Sequence, residues 1–484
     1  MFQAGSWETA LALLALVIVF AVENSDKRSR QDVRGHQVSS RPRRRLRSLR
    51  IGRGERGHSG DRGEAIRFGV RMNLSIRRGS SLLVFGPTRS GKTRSVVVPA
   101  VRSWRGSILV TSVKEDVIDQ TMEIRRSFSD VVILGTREGS CRRFWDPTLQ
   151  CDSAVAAKEM AARMIQNTPA FRTSSGDARF WYHLGEPVLA GTCRLAYYLG
   201  GARVLGEMIA AHTLANLAAR LEDFGEPTLA AAVAALDHDD PRHNSSIVLT
   251  LAQVVQPYVD AAEAFDDAEP LDLRELWDPG GDEWRPFSLY LCAPFHLQKR
   301  ISPYLSTLVS TFAEQAMRDV VARERGHSTL VVLDEAANIA PVVELAELAS
   351  VGTDLGLQLI SVFQDVNQVE RVYAQHAGTL INNHRAKLFL SSVSDPATMH
   401  LLDDILGRGS DRMQLAVDRT EAEGRVDWRR VPYGFGWLVE GSARARYVRV
   451  DRSSQWTIPL QSWVRSKFVR VNGKDSRVRY EHTE

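Results

Sequence analysis

Short unbroken apolar runs punctuate this chain, and they lack the alternation of half-exposed strands. Ser81–Phe85 (SLLVF), Ser107–Thr111 (SILVT), Val131–Leu134 (VVIL), Phe287–Cys292 (FSLYLC), Thr329–Leu333 (TLVVL), Gln358–Phe363 (QLISVF) and Lys387–Ser391 (KLFLS) are of this kind. Continuous hydrophobicity over so few residues predicts strands buried on both faces, as in parallel sheets. Helical segments such as Tyr304–Arg323 separate them. Strand and helix in alternation predict an α/β fold on a parallel central sheet.

The pattern changes in the middle. From Ala154 to Ala262 the chain is rich in Ala, Leu and Glu at helical spacing, with one long helix opening at Phe180-Trp181-Tyr182 and ending near Gly200-Gly201. This block predicts an all-helical insertion between strands of the sheet. It changes again at the N-terminus, where Thr9–Val22 (TALALLALVIVFAV) is wholly apolar. At about 1.5 Å per residue the run spans roughly 21 Å, against a hydrocarbon core of ~30 Å. No Lys or Arg precedes it and Ala21-Val22-Glu23 is a poor cleavage site, which argues against a signal peptide. A buried core helix would hang from a charged, Gly-rich tether. The expectation is an N-terminal membrane anchor.

Charge sharpens that expectation. The formal net charge of +4 is unevenly spread: residues 23–67 hold 14 Lys/Arg against 6 Asp/Glu, and the chain from Phe68 onward is slightly acidic. Arg41-Pro42-Arg43-Arg44-Arg45-Leu46-Arg47 lies in this stretch. Positive charge directly after an anchor puts the bulk of the chain in the cytoplasm, at the cytoplasmic (inner) membrane. The same arginines suit anionic lipid or DNA, or simply solvent. Cys141, Cys151, Cys193 and Cys292 form no CxxC pair, which excludes a zinc ribbon, a redox pair or a disulfide scaffold.

The candidate chemistry sits at strand ends. Gly86-Pro87-Thr88-Arg89-Ser90-Gly91-Lys92-Thr93 follows a predicted strand and leads into Arg94-Ser95-Val96-Val97-Val98. In that strand–loop–helix setting it fits the phosphate-binding loop G-x-x-x-x-G-K-[ST]. The glycines let backbone N–H groups wrap phosphates, Lys92 reaches the β/γ-phosphates, and the Thr93 hydroxyl holds Mg²⁺. Thr329–Leu333 ends in Asp334-Glu335, which supplies a carboxylate for Mg²⁺ and another to orient and deprotonate water. Gln364 closes the next predicted strand, where a polar side chain is placed to sense the γ-phosphate or position water. These residues predict an ATP hydrolase with ATP and Mg²⁺ as ligands. The catalytic candidates are Lys92, Glu335 and Gln364, and the metal candidates are Thr93 and Asp334.

With these elements in view, the chain resembles the type IV secretion coupling ATPases, the TraG/TraD-like proteins of bacterial conjugation. GPTRSGKT is similar to that family's phosphate loop. Leu333–Ile339 (LDEAANI) is similar to its Walker B stretch, and Gly356–Tyr373 (GLQLISVFQDVNQVERVY) to its third motif, with Gln364 at the family's glutamine. FWYHLGEPVL is similar to the opening of its all-α domain, and Asn382-Asn383 to a family asparagine. The resemblance implies a RecA-like P-loop nucleotide-binding domain and a membrane-distal all-α domain. It also implies homo-hexamers with ATP sites between subunits, and delivery of DNA or protein–DNA substrates to a secretion channel. The implied partners are DNA, relaxosome-type proteins, the channel and the membrane. The expected division is an anchor at 1–22, a basic tether at 23–64, the nucleotide-binding domain at 65–153 and 263–450, an all-α insertion at 154–262, and a tail at 451–484.

Departures from the family pattern keep other readings in play. Many members carry two N-terminal membrane helices, and one short run is visible here. Val351-Gly352-Thr353-Asp354-Leu355-Gly356 lacks the basic residue that members place before the third-motif strand to serve a neighbouring subunit's ATP, and Arg385 is the candidate substitute. A ring-forming DNA translocase of the FtsK or HerA type shares the motifs, but no helix-turn-helix or winged-helix signature accompanies them. A membrane-tethered adaptor that binds nucleotide without turning it over would have no use for Glu335.

Overall fold

The expected strands meet in one sheet. They are β1 (Leu82–Phe85), β2 (Ile108–Ser112), β3 (Asp130–Gly135), β4 (Phe287–Cys292), β5 (Thr329–Leu333), β6 (Leu357–Phe363) and β7 (Ala386–Leu390). Two further strands, β8 (Phe435–Glu440) and β9 (Arg446–Arg449), extend it to nine in the order β9-β8-β7-β1-β6-β5-β2-β4-β3. The computed structural model describes residues 65–451 except 70–73, 78, 136–142, 212, 238–240, 266–267, 278–284, 293–294, 324–327, 407–430 and 442–444, and the backbone of 468–471 and 474–477. The expected anchor and tether therefore lie outside the described residues. Among the described residues no helix is long and apolar enough to cross a membrane.

The sheet is mixed, which corrects the expectation of a parallel one. Strands β1 to β7 are paired in parallel, whereas β8 runs antiparallel to β7 and β9 antiparallel to β8. The two added strands form a hairpin on one edge. Of the four residues of β9, RYVR, only Val448 is buried. A polar edge of this kind disfavours further strand addition, and its short polar sequence carries no apolar run to reveal it. The segment expected as a tail also contains an antiparallel pair, Phe468–Val471 with Lys474–Arg477.

Strands β1, β2, β4, β5 and β6 are buried at every position. Alternate residues feed two separate cores. On one face Leu82, Val84, Ile108, Val110, Leu330 and Val332 pack with Val96, Val97, Ala100, Val101 and Trp104, which belong to the helix that follows the phosphate loop. On the other, Leu83, Phe85, Leu109, Val331, Leu333 and Phe363 join a larger core that includes Leu308 and Phe312. Helices on both faces and parallel strands between them make this a doubly wound α/β sheet, whose ligand-binding crevice lies at the carboxyl ends of the strands.

Helix α1 (Val98–Ser103) is preceded by a single π turn, Thr93–Val97. Pro99 accounts for a local rearrangement there. It has no N–H to give the Ser95 carbonyl, which would otherwise accept from position 99. The Gly69 N–H takes that carbonyl instead, at 2.7 Å. The first described residues are thus hydrogen-bonded to the phosphate-loop helix.

Helix α2 (Asp116–Arg126) is fixed by a buried guanidinium. Arg125 Nη1 donates to the Trp104 carbonyl at 2.5 Å, Nη2 to the Gly106 carbonyl at 2.8 Å, and Nε to Ser288 Oγ in β4 at 2.8 Å.

Although β3 and β4 are neighbours, the chain between them makes a long excursion. It runs through α3 (Ala154–Gln166), α4 (Pro169–Thr173), α5 (Asp177–Leu199), α6 (Leu205–Ala211), α7 (Leu214–Asp223), α8 (Pro227–Ala234) and α9 (Pro241–Ala264). Arg143–Trp145 going out pairs in parallel with Glu269–Leu271 coming back. Helix α5 begins three residues before the expected Phe180 and stops before Gly200, which adopts φ 140°. Helix α10 (Phe295–Arg323) begins well before the expected Tyr304, because it continues through Pro303.

Beyond β5 come α11 (Leu345–Val351), α12 (Val366–Tyr373), α13 (Ala377–Asn383) and α14 (Pro396–Leu406). Between α13 and β7 His384 is fully buried. Its Nδ1 lies 2.9 Å from the Leu380 carbonyl, which can only accept, so the proton sits on Nδ1 and Nε2 accepts from the Ser361 hydroxyl at 2.9 Å. Burial pushes the imidazole down to about 4; the Leu380 bond opposes this and the Lys387 charge adds to it. The folded protein therefore keeps His384 neutral where the unfolded chain protonates it. The stability this confers is present above pH ~6.5 and drains away as pH falls towards 4, by at most about 3 kcal/mol. Calorimetric melting of the wild type between pH 7 and 4.5 should be steeper in pH than that of His384→Gln, which removes the titrating group. Parallel pH profiles would refute this account.

Candidate functional site

The phosphate-loop sequence forms the turn expected between β1 and the helix after it. Its backbone is conformationally demanding: Arg89 and Gly91 adopt φ of 66° and 88°. A methyl group at Gly86 would come within 2.5 Å of Ser90 Oγ. Thr88 and Arg89 are exposed, Pro87, Gly91, Lys92 and Thr93 half-buried, and Ser90 buried. The loop is tied to β6 by the Gly86 N–H, which donates to the Phe363 carbonyl at 3.2 Å.

Lys92 folds back on its own loop, donating to the carbonyls of Gly86 at 2.6 Å and Pro87 at 2.9 Å. Burial lowers its ammonium from the ordinary lysine range, while Asp334 and Glu335 act in the opposite sense. Thr93 donates its hydroxyl to Asp334 Oδ2 at 2.8 Å. This bond joins residues 241 apart in sequence. It is possible because β6 alone separates β1 from β5, so both loops leave the same edge of the sheet.

Asp334 is 6% exposed. Burial pushes its carboxyl up to about 6, and the Glu335 and Asp116 charges add to the rise, while the Thr93 bond and Lys92 hold it down. A buried carboxylate in that setting, with a hydroxyl already aimed at it, is a donor pair suited to a hard divalent cation. Mg²⁺ takes one or two such protein ligands and completes its shell with water and phosphate oxygens. Among the described residues there is no cluster of three or more His, Cys, Asp or Glu that could hold a metal ion.

Glu335 leaves the strand in a left-handed conformation, φ 58°. For a residue with a side chain this is uncommon and costs of order 1 kcal/mol. It is half-buried, with Oε2 3.4 Å from Asn338 Nδ2. Gln364 ends β6, between the phosphate loop and Asp334, and its N–H donates to Gln368 Oε1 at 2.9 Å. Asp365 then caps α12 by accepting from the Gln368 N–H at 2.8 Å. The five residues Lys92, Thr93, Asp334, Glu335 and Gln364 therefore share one edge of the sheet. Arg385 does not join them. It is exposed just before the amino end of β7, at the opposite edge, so it has no access to the site of its own chain.

Two residues at this edge have no role in the sequence reading. Asp116 opens α2 and contributes its charge to Asp334; Lys114-Glu115-Asp116 loosely resembles a Lys-Gly-Glu turn of the family, to which no catalytic role is given. Tyr433 reaches the phosphate loop from the turn before β8. Its hydroxyl lies 3.4 Å from where a methyl on Gly91 would sit. The signal available was Pro432-Tyr433-Gly434, turn-forming residues around an aromatic, which gains meaning only when β8 is known to be there.

A family model described as type IV secretory system conjugative DNA transfer matches residues 50–413 of the 484. No curated protein sequence matches. Among solved structures, the unbound monoclinic form of the bacterial conjugative coupling protein TrwBdeltaN70 is 18% identical, covering 80% of this chain and 89% of that one, with a TM-score of 0.57. The plasmid coupling protein TrwB in complex with ADP and Mg²⁺ is 18% identical, covering 81% and 89%, with a TM-score of 0.56. TrwB in complex with a non-hydrolysable ATP analogue is 19% identical, covering 85% and 95%, again with a TM-score of 0.56. At such identities these structures speak for the fold alone, an α/β core with a mixed central sheet. The family match spans most of the chain, phosphate loop to third motif, and on that ground the chain belongs to the type IV secretory system conjugative DNA transfer family.

Proposed function

We propose that this chain is a coupling ATPase of type IV DNA transfer, which hydrolyses ATP to drive DNA or protein–DNA substrates towards a secretion channel. The observation that carries the proposal is the Thr93–Asp334 hydrogen bond, with Lys92 and Glu335 beside it. It supports a phosphate loop and a Walker B carboxylate acting on one nucleotide. TrwB, which shares the fold, is described in complexes with ADP and Mg²⁺ and with ATP and GTP analogues.

The chemistry follows from what each side chain can do. Lys92 gives up its two carbonyl partners for the β/γ-phosphate oxygens, where a cation is most needed as charge develops. Thr93 and Asp334 would hold Mg²⁺, which when bound supplies charge neutralisation at the β/γ-phosphates. Glu335 orients water for in-line attack and accepts its proton. Gln364, between the two loops, is placed to register the γ-phosphate.

The wider assignment rests on the sequence expectations. Residues 1–22 anchor the chain in the cytoplasmic membrane with its bulk in the cytoplasm, and 23–64 form a basic tether. Residues 154–262 form an all-α domain inserted into the nucleotide-binding domain of 65–153 and 263–450. Six copies assemble with ATP between subunits. DNA, relaxosome-type proteins and the channel are the partners.

The test is ATP turnover of the detergent-solubilised full chain, with and without single- or double-stranded DNA. DNA should stimulate turnover, and Lys92→Ala and Glu335→Gln should each reduce it on the order of 100-fold or more. Glu335→Gln should still bind ATP. Binding without turnover in the wild type, on any DNA, would replace the motor with a nucleotide-binding adaptor. A stability measurement probes the same site without nucleotide. Thr93→Val leaves Asp334 buried without its donor and should cost about 1–3 kcal/mol in chemical denaturation, whereas Thr93→Ser should be close to wild type. Equal stability of both variants with wild type would show that the bond contributes nothing.

A further inference from the structure

The Thr93–Asp334 bond gives the site a direction. Asp334 and Glu335 stand two strands from the phosphate loop on one side, in the order β1-β6-β5. On the other side of β1 the order runs to β7 and β8, and a nucleotide whose terminal phosphate meets Lys92, Asp334 and Glu335 can run its ribose and base that way. Tyr433 stands there, where the chain enters β8.

Three observations mark Tyr433 as held rather than merely nearby. Its ring approaches the loop at Gly91: a methyl built on that glycine would lie 3.4 Å from the Tyr433 hydroxyl and 3.8 Å from Cζ. The residue after it, Gly434, adopts φ 84°, and its carbonyl accepts from the N–H groups of Val450 at 2.7 Å and Asp451 at 3.0 Å. A side chain at Gly434 would come within 2.8 Å of the Asp451 carbonyl, so the turn is closed to other residues without a shift. Finally, Arg94, the residue after Thr93, lies 3.9 Å from the Asp451 carboxylate. The turn that presents Tyr433 is thereby joined to the start of the phosphate-loop helix. A large aromatic side chain, 37% exposed, thus stands beside a phosphate loop on a fixed turn.

We infer that Tyr433 is the stacking platform for the nucleotide's base, so that the turn before β8 forms the base-binding wall of the site. A phenol ring offers a π face to any purine, and stacking of a base on an aromatic side chain is a sequence-tolerant source of affinity. The inference rests on the ATP-site reading above.

The experiment measures equilibrium binding of ATP and of inorganic tripolyphosphate, which has the phosphates and no base, to the full chain and its variants. Tyr433→Ala should weaken ATP about ten-fold and leave tripolyphosphate unchanged. Tyr433→Phe should restore ATP affinity, and Tyr433→Trp should bind ATP with quenching of the new indole by the base. Lys92→Ala should weaken both ligands. Unchanged ATP affinity in Tyr433→Ala overturns the inference while leaving the ATP site standing. Equal weakening of ATP and tripolyphosphate also overturns it, because Tyr433 would then be shaping the loop. Absence of ATP binding by the wild type would instead bring down the ATP-site reading itself.

Discussion

A carboxylate taken out of water needs a partner, and the site is organised around that constraint at Asp334. The strand beneath it is buried on both faces, so its end cannot be solvated by sliding outward. The Thr93 hydroxyl is its donor, with Lys92 as the nearby cation. To bring Thr93 there, β1 must run in the same direction as β5 with only β6 between them, and the phosphate loop must turn through left-handed backbone at Arg89 and Gly91. The strand order, the glycine positions and the location of the polar edge are three aspects of one arrangement. A shift of β1 to another slot in the sheet would leave Asp334 buried with no donor.

Much of this was legible in the sequence because it depends on local signals. Buried parallel strands announce themselves as apolar runs, and seven were placed within a residue or so of their observed limits. The phosphate loop is a contiguous motif, and Asp334-Glu335 and Gln364 follow strand ends. What was missed depends on long-range pairing. Strand β9 is short and polar, and β8 has an apolar run interrupted by Gly436 and is paired along the open edge that β7 offers. Tyr433 has no meaning in sequence until β8 exists. His384 reads as one polar residue among Asn383, Arg385 and Lys387, yet its neutral imidazole ties β6 to α13 through Ser361 and Leu380. The helix expected from Tyr304 is the latter part of a longer one that runs through Pro303.

The helical excursion between β3 and β4 is joined to the edge that carries Asp334 as well as to the sheet. Tyr304 of α10 donates its hydroxyl to the Trp145 carbonyl at 3.0 Å, where the chain leaves for the helices. Arg172 of α4 donates to the Pro341 carbonyl at 2.8 Å, in the segment after Glu335. Arg172 is held below the ordinary arginine range by burial, against the opposing influence of Tyr373 in α12. Helices far from the phosphate loop in sequence are thus in contact with the segments that follow the Walker B carboxylates and the third-motif strand.

Pro99 gives the N-terminal side of the structure a mechanical meaning. By withholding one N–H it leaves the Ser95 carbonyl to Gly69, and so fastens the start of the described chain two residues beyond Thr93. Tension applied along the backbone at Ile66 would reach the phosphate-loop helix through that hydrogen bond, through the Ser103 hydroxyl on the Arg67 carbonyl, and through Ile66 and Phe68 packed against Val97 and Val101. The chain is built so that a load on its leading end and the ligand in its loop bear on the same helix.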